Sequence, residues 1–483
     1  MEGELRGRVA SGMAWTLAEK AGSMLLQTGV GIVVARLLVP EDYGVMAILT
    51  VFATLSLVVV DSGFSQTLIR KDNPSAADYS SVFRFNIAVS LLLYGALAAV
   101  TPWLADFYGQ PVLRQLAPVL FLLLPLNALC VIQQTLYTRR FRFAPLSKIV
   151  FASTVCGGVA AVLMAWRGCG VWSLVGQRLA AMGSKALLLW IFGGWRPARG
   201  FDGAALRAMV PYSLRLMATD FISTLYNNVS QLFVGKIYST QTLGYFNQGQ
   251  KLKELPVASL MQSVQNVTFP ALSKIQDDAA KFAESYRQLL LTVSFFVFPI
   301  MAGMIAVAGE LFALLLGGKW MPTVPYFEVL CLAGLFMPLS TIAYNVLKVR
   351  SDGSVIVRLE VVKKGIMTLI LAVTIPHSVM AVAWGIVAMA ACELTLNLWA
   401  TRRFATLPLR RMTGALLPAA LLSGAMFAAV KLLGTLIVLP LPLRLAALVL
   451  TGISVYGGLA LLFRAEALRI ALQLLRHRSK DRF

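Results

Sequence analysis

Charged and amide side chains within apolar helices are the residues of this 483-residue chain best able to do chemistry. A charge held away from water needs a partner or a ligand. Thr16, Lys20, Ser23, Gln27 and Gly31 follow one another at steps of four, three, four and four. That spacing lays them along one helical face. Two hundred residues later Asp220, Ser223, Asn227 and Gln231 repeat the stripe, so Lys20 corresponds to Asp220, Ser23 to Ser223 and Gln27 to Asn227. Further candidates are Glu19, Asp61, Arg84 with Asn86, Arg178, Lys185, Arg215, Lys251, Lys253, Glu360 with Lys363 and Lys364, and Glu393. Cations outnumber anions in this group, which suits an anionic ligand such as a pyrophosphate or a uronate sugar. The expected cleft-lining set is Lys20, Ser23, Gln27, Arg84, Arg178, Asp220, Ser223, Asn227, Lys251, Lys253, Lys363 and Lys364. Asp61 and Asp220 are the carboxylates placed to titrate or to bind Na⁺ during coupling. The competing reading is helix–helix hydrogen bonding in a packed bundle. For Lys185, Arg215, Lys251 and Lys253, near expected helix ends, it is snorkelling of the long side chain to the interface.

No catalytic constellation competes with these stripes. His377 and His477 are the only histidines, one in a turn between spans and one in the C-terminal tail. Neither is placed to serve a serine or cysteine nucleophile, so no enzyme is expected. No Gly-Lys-Ser/Thr phosphate loop occurs. The five cysteines (Cys130, Cys156, Cys169, Cys331, Cys392) have no repeated spacing, which excludes a disulfide scaffold and leaves no metal site to expect. Beyond H⁺ or Na⁺, no cofactor is expected.

The elements that must carry these residues are membrane helices. The chain is 58% hydrophobic and only 13% charged, against roughly 25% charged in soluble domains. Apolar stretches place helices near 11–36, 43–66, 80–103, 114–138, 147–166, 171–193, 209–237, 243–272, 287–316, 323–347, 355–375, 379–400, 412–433 and 443–463. This is an all-α, polytopic membrane protein with about fourteen spans of ~20 residues. No cleavable signal peptide is expected from the first residues.

The formal net charge of +21 sorts by loop. Odd-numbered loops hold only Arg36, Arg114, Arg167, Lys236, Lys319 and Arg444, whereas the N-terminus, the even loops and the tail hold several times as many Lys and Arg. By the positive-inside rule both termini are cytoplasmic. Most of the surplus is therefore orientation charge and contact with anionic lipid, not a nucleic-acid surface, and no basic–aromatic module accompanies it. The segment 464–483 reads as a basic amphipathic interfacial helix.

Ala35–Gly44 aligns with Gly235–Gly244 at an offset of 200, and the glycine is expected to supply a tight turn between helices. Leu-Pro-Leu at 124–126 resembles Met-Pro-Leu at 337–339, and Arg139 and Arg350 follow near the ends of helices 4 and 10. Two six-helix units in one orientation would give a parallel repeat about the membrane normal. The expected organisation is two lobes at 1–200 and 201–404, two further helices at 405–463, and the tail at 464–483.

The run Arg36-Leu37-Leu38-Val39-Pro40-Glu41-Asp42-Tyr43-Gly44 resembles the first-loop signature of Wzx-like polysaccharide flippases. These belong to the multidrug/oligosaccharidyl-lipid/polysaccharide (MOP) exporter superfamily. Asp61-Ser62-Gly63 and Gly244-Tyr245-Phe246 are similar to that branch as well. The resemblance covers roughly 1–404. It implies a V-shaped pair of six-helix bundles, as in the multidrug (MATE) exporters, that alternates between inward-open and outward-open states. Helices 1 and 7 would line its cationic cleft. The implied cargo is an undecaprenyl-pyrophosphate-linked oligosaccharide unit, an exopolysaccharide, capsule or O-antigen precursor, crossing a bacterial inner membrane. Partners would be membrane lipids, with a polymerase and glycosyltransferases nearby. Asp220, an acid where the first lobe has Lys20, departs from symmetric ligand contacts. Two rivals stay open: a cation-coupled multidrug antiporter, and a non-transporting scaffold for a polysaccharide synthase complex.

Overall fold

The computed structural model describes residues 2–61, 63–198, 201–351, 353–405, 407–464 and 466–469. Every regular element among them is helical. The first elements are α1 (Glu2–Leu37), α2 (Pro40–Asp61), α3 (Phe64–Arg70), α4 (Ala76–Tyr108), α5 (Leu113–Phe121), α6 (Leu123–Arg139), α7 (Phe143–Trp166) and α8 (Trp172–Phe192). They are followed by α9 (Gly203–Ile237), α10 (Thr240–Lys274), α11 (Ala279–Ala306), α12 (Ala308–Leu315), a 3₁₀ turn at Gly318–Thr323, and α13 (Val324–Arg350). The last are α14 (Ser354–Thr374), α15 (Val379–Ala405), α16 (Leu409–Leu436) and α17 (Leu441–Leu462). Most of the interfacial tail expected at 464–483, residues 470–483, lies outside the described residues, as does Ser62.

Nine stretches among the described residues are long and apolar enough to cross a membrane, so the chain is a multi-pass membrane protein. Five more helices have the length but not the apolarity: α1, α8, α9, α10 and α14, of 36, 21, 35, 35 and 21 residues. These five carry eleven of the twelve expected cleft residues, all but Arg84 on α4. The polarity that marks the site is what lowers their hydropathy.

The chain packs as two units, Met1–Gly244 and Tyr245–Phe483. In the first, α9 lies against α2, α3 and α4, and α1, α7 and α8 pack in series. Phe64, Leu68, Val82, Ile132, Leu136 and Met209 form a core shared by α3, α4, α6 and α9. In the second, α13 packs on α11 and α15, and α16 packs on α11 and α17. Helix α4 shows how sequence sets an element. Ser75 Oγ accepts from the Asp78 N–H at 3.1 Å while Asp78 Oδ2 accepts from the Ser75 N–H at 2.7 Å, a capping box, and Gly109 closes the far end with φ +63°.

The expected second helix is broken. It stops at Asp61 and resumes as α3 after Gly63, whose φ is +67°. A side chain there would bring a Cβ within 2.9 Å of the Ser213 carbonyl oxygen, so the break lets the chain lie directly on α9. Thr67 Oγ1 and Ser213 Oγ, 2.8 Å apart, fasten the same place. Asp61 therefore sits exposed at a helix break, not within an unbroken span, with Ser65 Oγ donating to it at 2.6 Å.

The internal repeat is structural, but its glycines do not make turns. Gly44 and Gly244 are each the fifth residue of a helix, α2 and α10. A Cβ on Gly44 would lie 1.8 Å from the Thr240 carbonyl oxygen, and one on Gly244 would lie 1.9 Å from that of Pro40. Pro40 and Thr240 are themselves 200 residues apart. Each glycine thus meets the first residue of the other repeat's helix, and the two helix starts cross backbone to backbone. Thr240 Oγ1 donates to Glu41 Oε1 at 3.3 Å in the same place. The pattern was legible as a special backbone position; close approach, not a turn, is what it serves.

Arg139 and Arg350 also perform matching tasks. Arg139 Nη1 donates to the carbonyls of Leu68 (2.7 Å) and Lys71 (2.6 Å), closing the chain after α3. Arg350 donates from Nε to the Gln276 carbonyl at 3.1 Å and from Nη1 to that of Phe404 at 2.7 Å, closing the chain after α10. Arg139→Ala and Arg350→Ala are each expected to lower stability by about 1–3 kcal/mol, read as earlier thermal unfolding in detergent. Lysine at either position should recover little, because one ammonium cannot span the same fork of carbonyls.

Candidate functional site

On α1 the polar stripe divides. Lys20 and Gln27 are exposed, whereas Ser23 is buried and donates to Glu19 Oε1 at 3.0 Å. On α9 the counterpart stripe stays open along Asp220, Ser223 and Asn227, and only Gln231 is buried. Both helices belong to the first unit for the length of their stripes. Arg84, on α4, donates from Nη2 to the Ala198 carbonyl at 2.6 Å and so anchors the chain leading toward α9.

Helix α8 contributes Arg178 and Lys185, seven residues apart on one face and both partly buried. Among the described residues neither has a hydrogen-bond or ion-pair partner. The first lies seven residues into a 21-residue helix and the second two-thirds of the way along it, so neither is at an end.

Lys253 is the most sequestered cation of the set, at 2% exposure. Reasoning from apolar runs put it near the start of a helix. The expected helix, 243–272, starts within three residues of α10, which begins at Thr240 and so sets Lys253 roughly 20 Å along its axis. It too has no hydrogen-bond or ion-pair partner among the described residues. Snorkelling does not describe a lysine buried at that depth. Lys251 is exposed on the same helix.

The second unit also holds a charge cluster that spacing alone half revealed. Lys363 Nζ donates to Glu360 Oε1 at 2.9 Å, stands 3.6 Å from Glu393 Oε1 on α15, and lies over the Tyr344 ring at 4.9 Å. Lys364 lines the same small cavity. The Glu360–Lys363 pair is visible in the sequence as an i, i+3 spacing. Glu393 joins it only through the packing of α14 on α15. Because Lys363 is already matched by two carboxylates, it differs chemically from Arg178, Lys185 and Lys253.

These features set the context for the chain's similarities. Residues 33–325 match the family model described as Polysaccharide biosynthesis protein. The chain is 24% identical over 289 residues to the teichuronic acid biosynthesis protein TuaB of Bacillus subtilis, a match spanning 59% of each chain. It is 23% identical to the succinoglycan biosynthesis transport protein ExoT of Rhizobium meliloti, over 69% of this chain and 68% of that one. To the lipopolysaccharide biosynthesis protein WzxC of Escherichia coli it is 24% identical, over 68% of each. Its fold is similar to the lipid II flippase MurJ in an inward closed conformation, with a TM-score of 0.74, 14% identity, and coverage of 94% of this chain and 99% of that one. An inward-facing MATE-family transporter of the MOP superfamily follows at a TM-score of 0.57 and 15% identity, over 80% of this chain and 95% of that one. With its family model matched over more than half its length and a Wzx-like first loop, the chain belongs to the polysaccharide biosynthesis protein family, within the MOP exporter fold.

Proposed function

We propose that this chain is a flippase that moves undecaprenyl-pyrophosphate-linked oligosaccharide units from the cytoplasmic to the periplasmic leaflet of a bacterial inner membrane. It is a transporter and not an enzyme. The observation that carries the reading is the trio Arg178, Lys185 and Lys253: cations within long helices whose side chains make no hydrogen bond or salt bridge within 4 Å among the described residues, Glu19 and Glu254 acting on the two lysines only from longer range. An unpaired cation held away from water is costly, and a diphosphate or uronate oxygen would satisfy it. A pocket for cationic drugs would show the opposite polarity, so these residues disfavour the antiporter. TuaB, ExoT and WzxC are named for the biosynthesis of teichuronic acid, of succinoglycan (as a transport protein) and of lipopolysaccharide, which supports the cargo class.

In this reading α1, α8, α9, α10 and α14 cross the membrane with the nine apolar spans, making fourteen, as two six-helix repeats plus α16 and α17. Both termini face the cytoplasm. Lys20, Gln27, Ser223 and Asn227 contact the sugar, while Ser23 supports the site through Glu19. Lys251 and Lys364 add positive potential. Coupling to H⁺ or Na⁺ falls to Asp61, Asp220 or the Glu360–Lys363–Glu393 cluster. A polymerase and the glycosyltransferases of the same polysaccharide act on either side of the step.

Loss of the chain from a producing bacterium should make lipid-linked units accumulate at the cytoplasmic face while surface polymer falls. Restoring Arg178→Ala, Lys185→Ala or Lys253→Met in place of the wild type should leave export reduced on the order of tenfold or more. Normal export by all three at wild-type protein levels would sink the assignment.

A further inference from the structure

A cavity of about 890 Å³ opens in the second unit between the N-terminal halves of α11 and α16 and the residues that follow α17. Its mouth is charged and its depth is apolar. Arg287, Arg410 and Arg411 stand at the mouth with Glu284 and Glu466, and Leu291, Phe295 and Leu422 line the far end. Arg287 is already engaged: it donates to Glu284 Oε1 at 2.8 Å and, from Nη1, to Glu466 Oε2 at 3.0 Å. The Arg287 hydrogen bond holds the Glu466 carboxyl below the usual carboxylate range, so this clamp stays ionised near neutral pH. Arg410 and Arg411 are exposed and their guanidinium groups make no hydrogen bond or salt bridge within 4 Å among the described residues, Arg411 attracting Glu284 only from longer range.

We propose that this cavity binds an anionic glycerophospholipid, its phosphate against Arg410 and Arg411 and an acyl chain lying between α11 and α16 as far as Phe295. From Glu284 to Phe295 the cavity follows α11 for eleven residues, roughly 16 Å, which is about one leaflet of hydrocarbon. A free anion would use the arginines but leave the apolar depth empty. A zwitterionic lipid would fill the depth but leave two guanidinium groups without a net counter-charge. The charged mouth serves a recess about one leaflet deep, the length of an acyl chain; the groove of about 730 Å³ that meets it at Phe295, lined by Ile300, Met304, Leu448 and Ile453, has no charged residue in its lining. Charge selects an anionic lipid over a zwitterionic one, and the depth of the charged-mouthed recess matches an acyl chain. The site is distinct from the cargo-binding cations proposed above, and its occupancy is measurable without transport.

The test is native mass spectrometry of the full-length protein purified in mild detergent and titrated separately with phosphatidylglycerol, phosphatidylethanolamine and undecaprenyl phosphate. Phosphatidylglycerol should bind best. The Arg410→Ala/Arg411→Ala double variant should weaken it on the order of tenfold. Gly414→Leu is the charge-neutral companion: a Cβ at Gly414 meets nothing within 4 Å, so the new side chain enters the open cavity while every charge remains. It should also lose phosphatidylglycerol, with unfolding temperature unchanged. Arg402→Ala/Arg403→Ala, a neighbouring cationic pair outside the cavity, should bind as wild type. Unchanged binding in the cavity variants, equal loss in the neighbouring pair, or tighter binding of undecaprenyl phosphate would each overturn the proposal.

Discussion

Leucine at Gly244, or at Gly44, is expected to abolish polysaccharide export while leaving the protein in the membrane at near-normal amounts. The first β-carbon alone would fall 1.9 Å from the Pro40 carbonyl oxygen at Gly244, or 1.8 Å from that of Thr240 at Gly44. Carbon and oxygen cannot share that distance, and backbone on both sides leaves nothing flexible to yield. The two helix starts must separate. Each helix by itself prefers alanine to glycine by about 1 kcal/mol, so neither helix should unravel. Overpacking typically costs about 1–3 kcal/mol, which makes a loss of on the order of tenfold reasonable for alanine and a near-complete loss for leucine. Cysteines at Glu41 and Thr240, whose side chains touch in the native protein, should cross-link in the wild-type background and fail to do so beside Gly244→Leu. Full export with the cross-link intact would show that the crossing tolerates bulk.

The second large effect is expected at Lys363. Methionine there leaves Glu360 and Glu393 facing each other across α14 and α15 without their cation. Stability should drop by about 1–3 kcal/mol, with both carboxylates partly hydrated and so not at the upper extreme. Adding Glu360→Gln should restore much of that loss, because it removes the like-charge pair that Lys363→Met exposes. If the cluster couples export to an ion gradient, Glu393→Gln will fold normally yet export at a rate indifferent to collapse of that gradient. Gradient-dependent export in Glu393→Gln would assign coupling elsewhere, to Asp61 or Asp220.

Particular residues show where sequence was sufficient and where it was not. The offset of 200 between Gly44 and Gly244 was plain in the chain, and so was the pairing of Arg139 with Arg350. What those residues do was not, because a backbone crossing and a capped loop depend on which distant segment arrives opposite them. The i, i+3 spacing announced Glu360 with Lys363, but Glu393 lies thirty residues on and enters only through helix packing. Lys253 was expected near a helix end although the expected helix, 243–272, starts only three residues after α10 does; its burial depends on what packs around α10, which the spacing does not show. Apolar runs locate spans by what faces lipid. A helix whose polar side is sheltered therefore falls short on mean hydropathy even where its length and spacing mark it as a helix, and the five helices that do so hold all but one of the candidate site residues.

The most direct measurement reconstitutes the purified chain in vesicles carrying an undecaprenyl-diphosphate oligosaccharide and follows the sugar's exposure to a membrane-impermeant glycosidase. Wild-type vesicles should expose the oligosaccharide well above the protein-free rate, and Arg178→Ala and Lys253→Met should each slow it on the order of tenfold. Exposure no faster than in protein-free vesicles, or wild-type rates from both variants, would contradict the assignment of these unpaired cations to an anionic lipid-linked cargo.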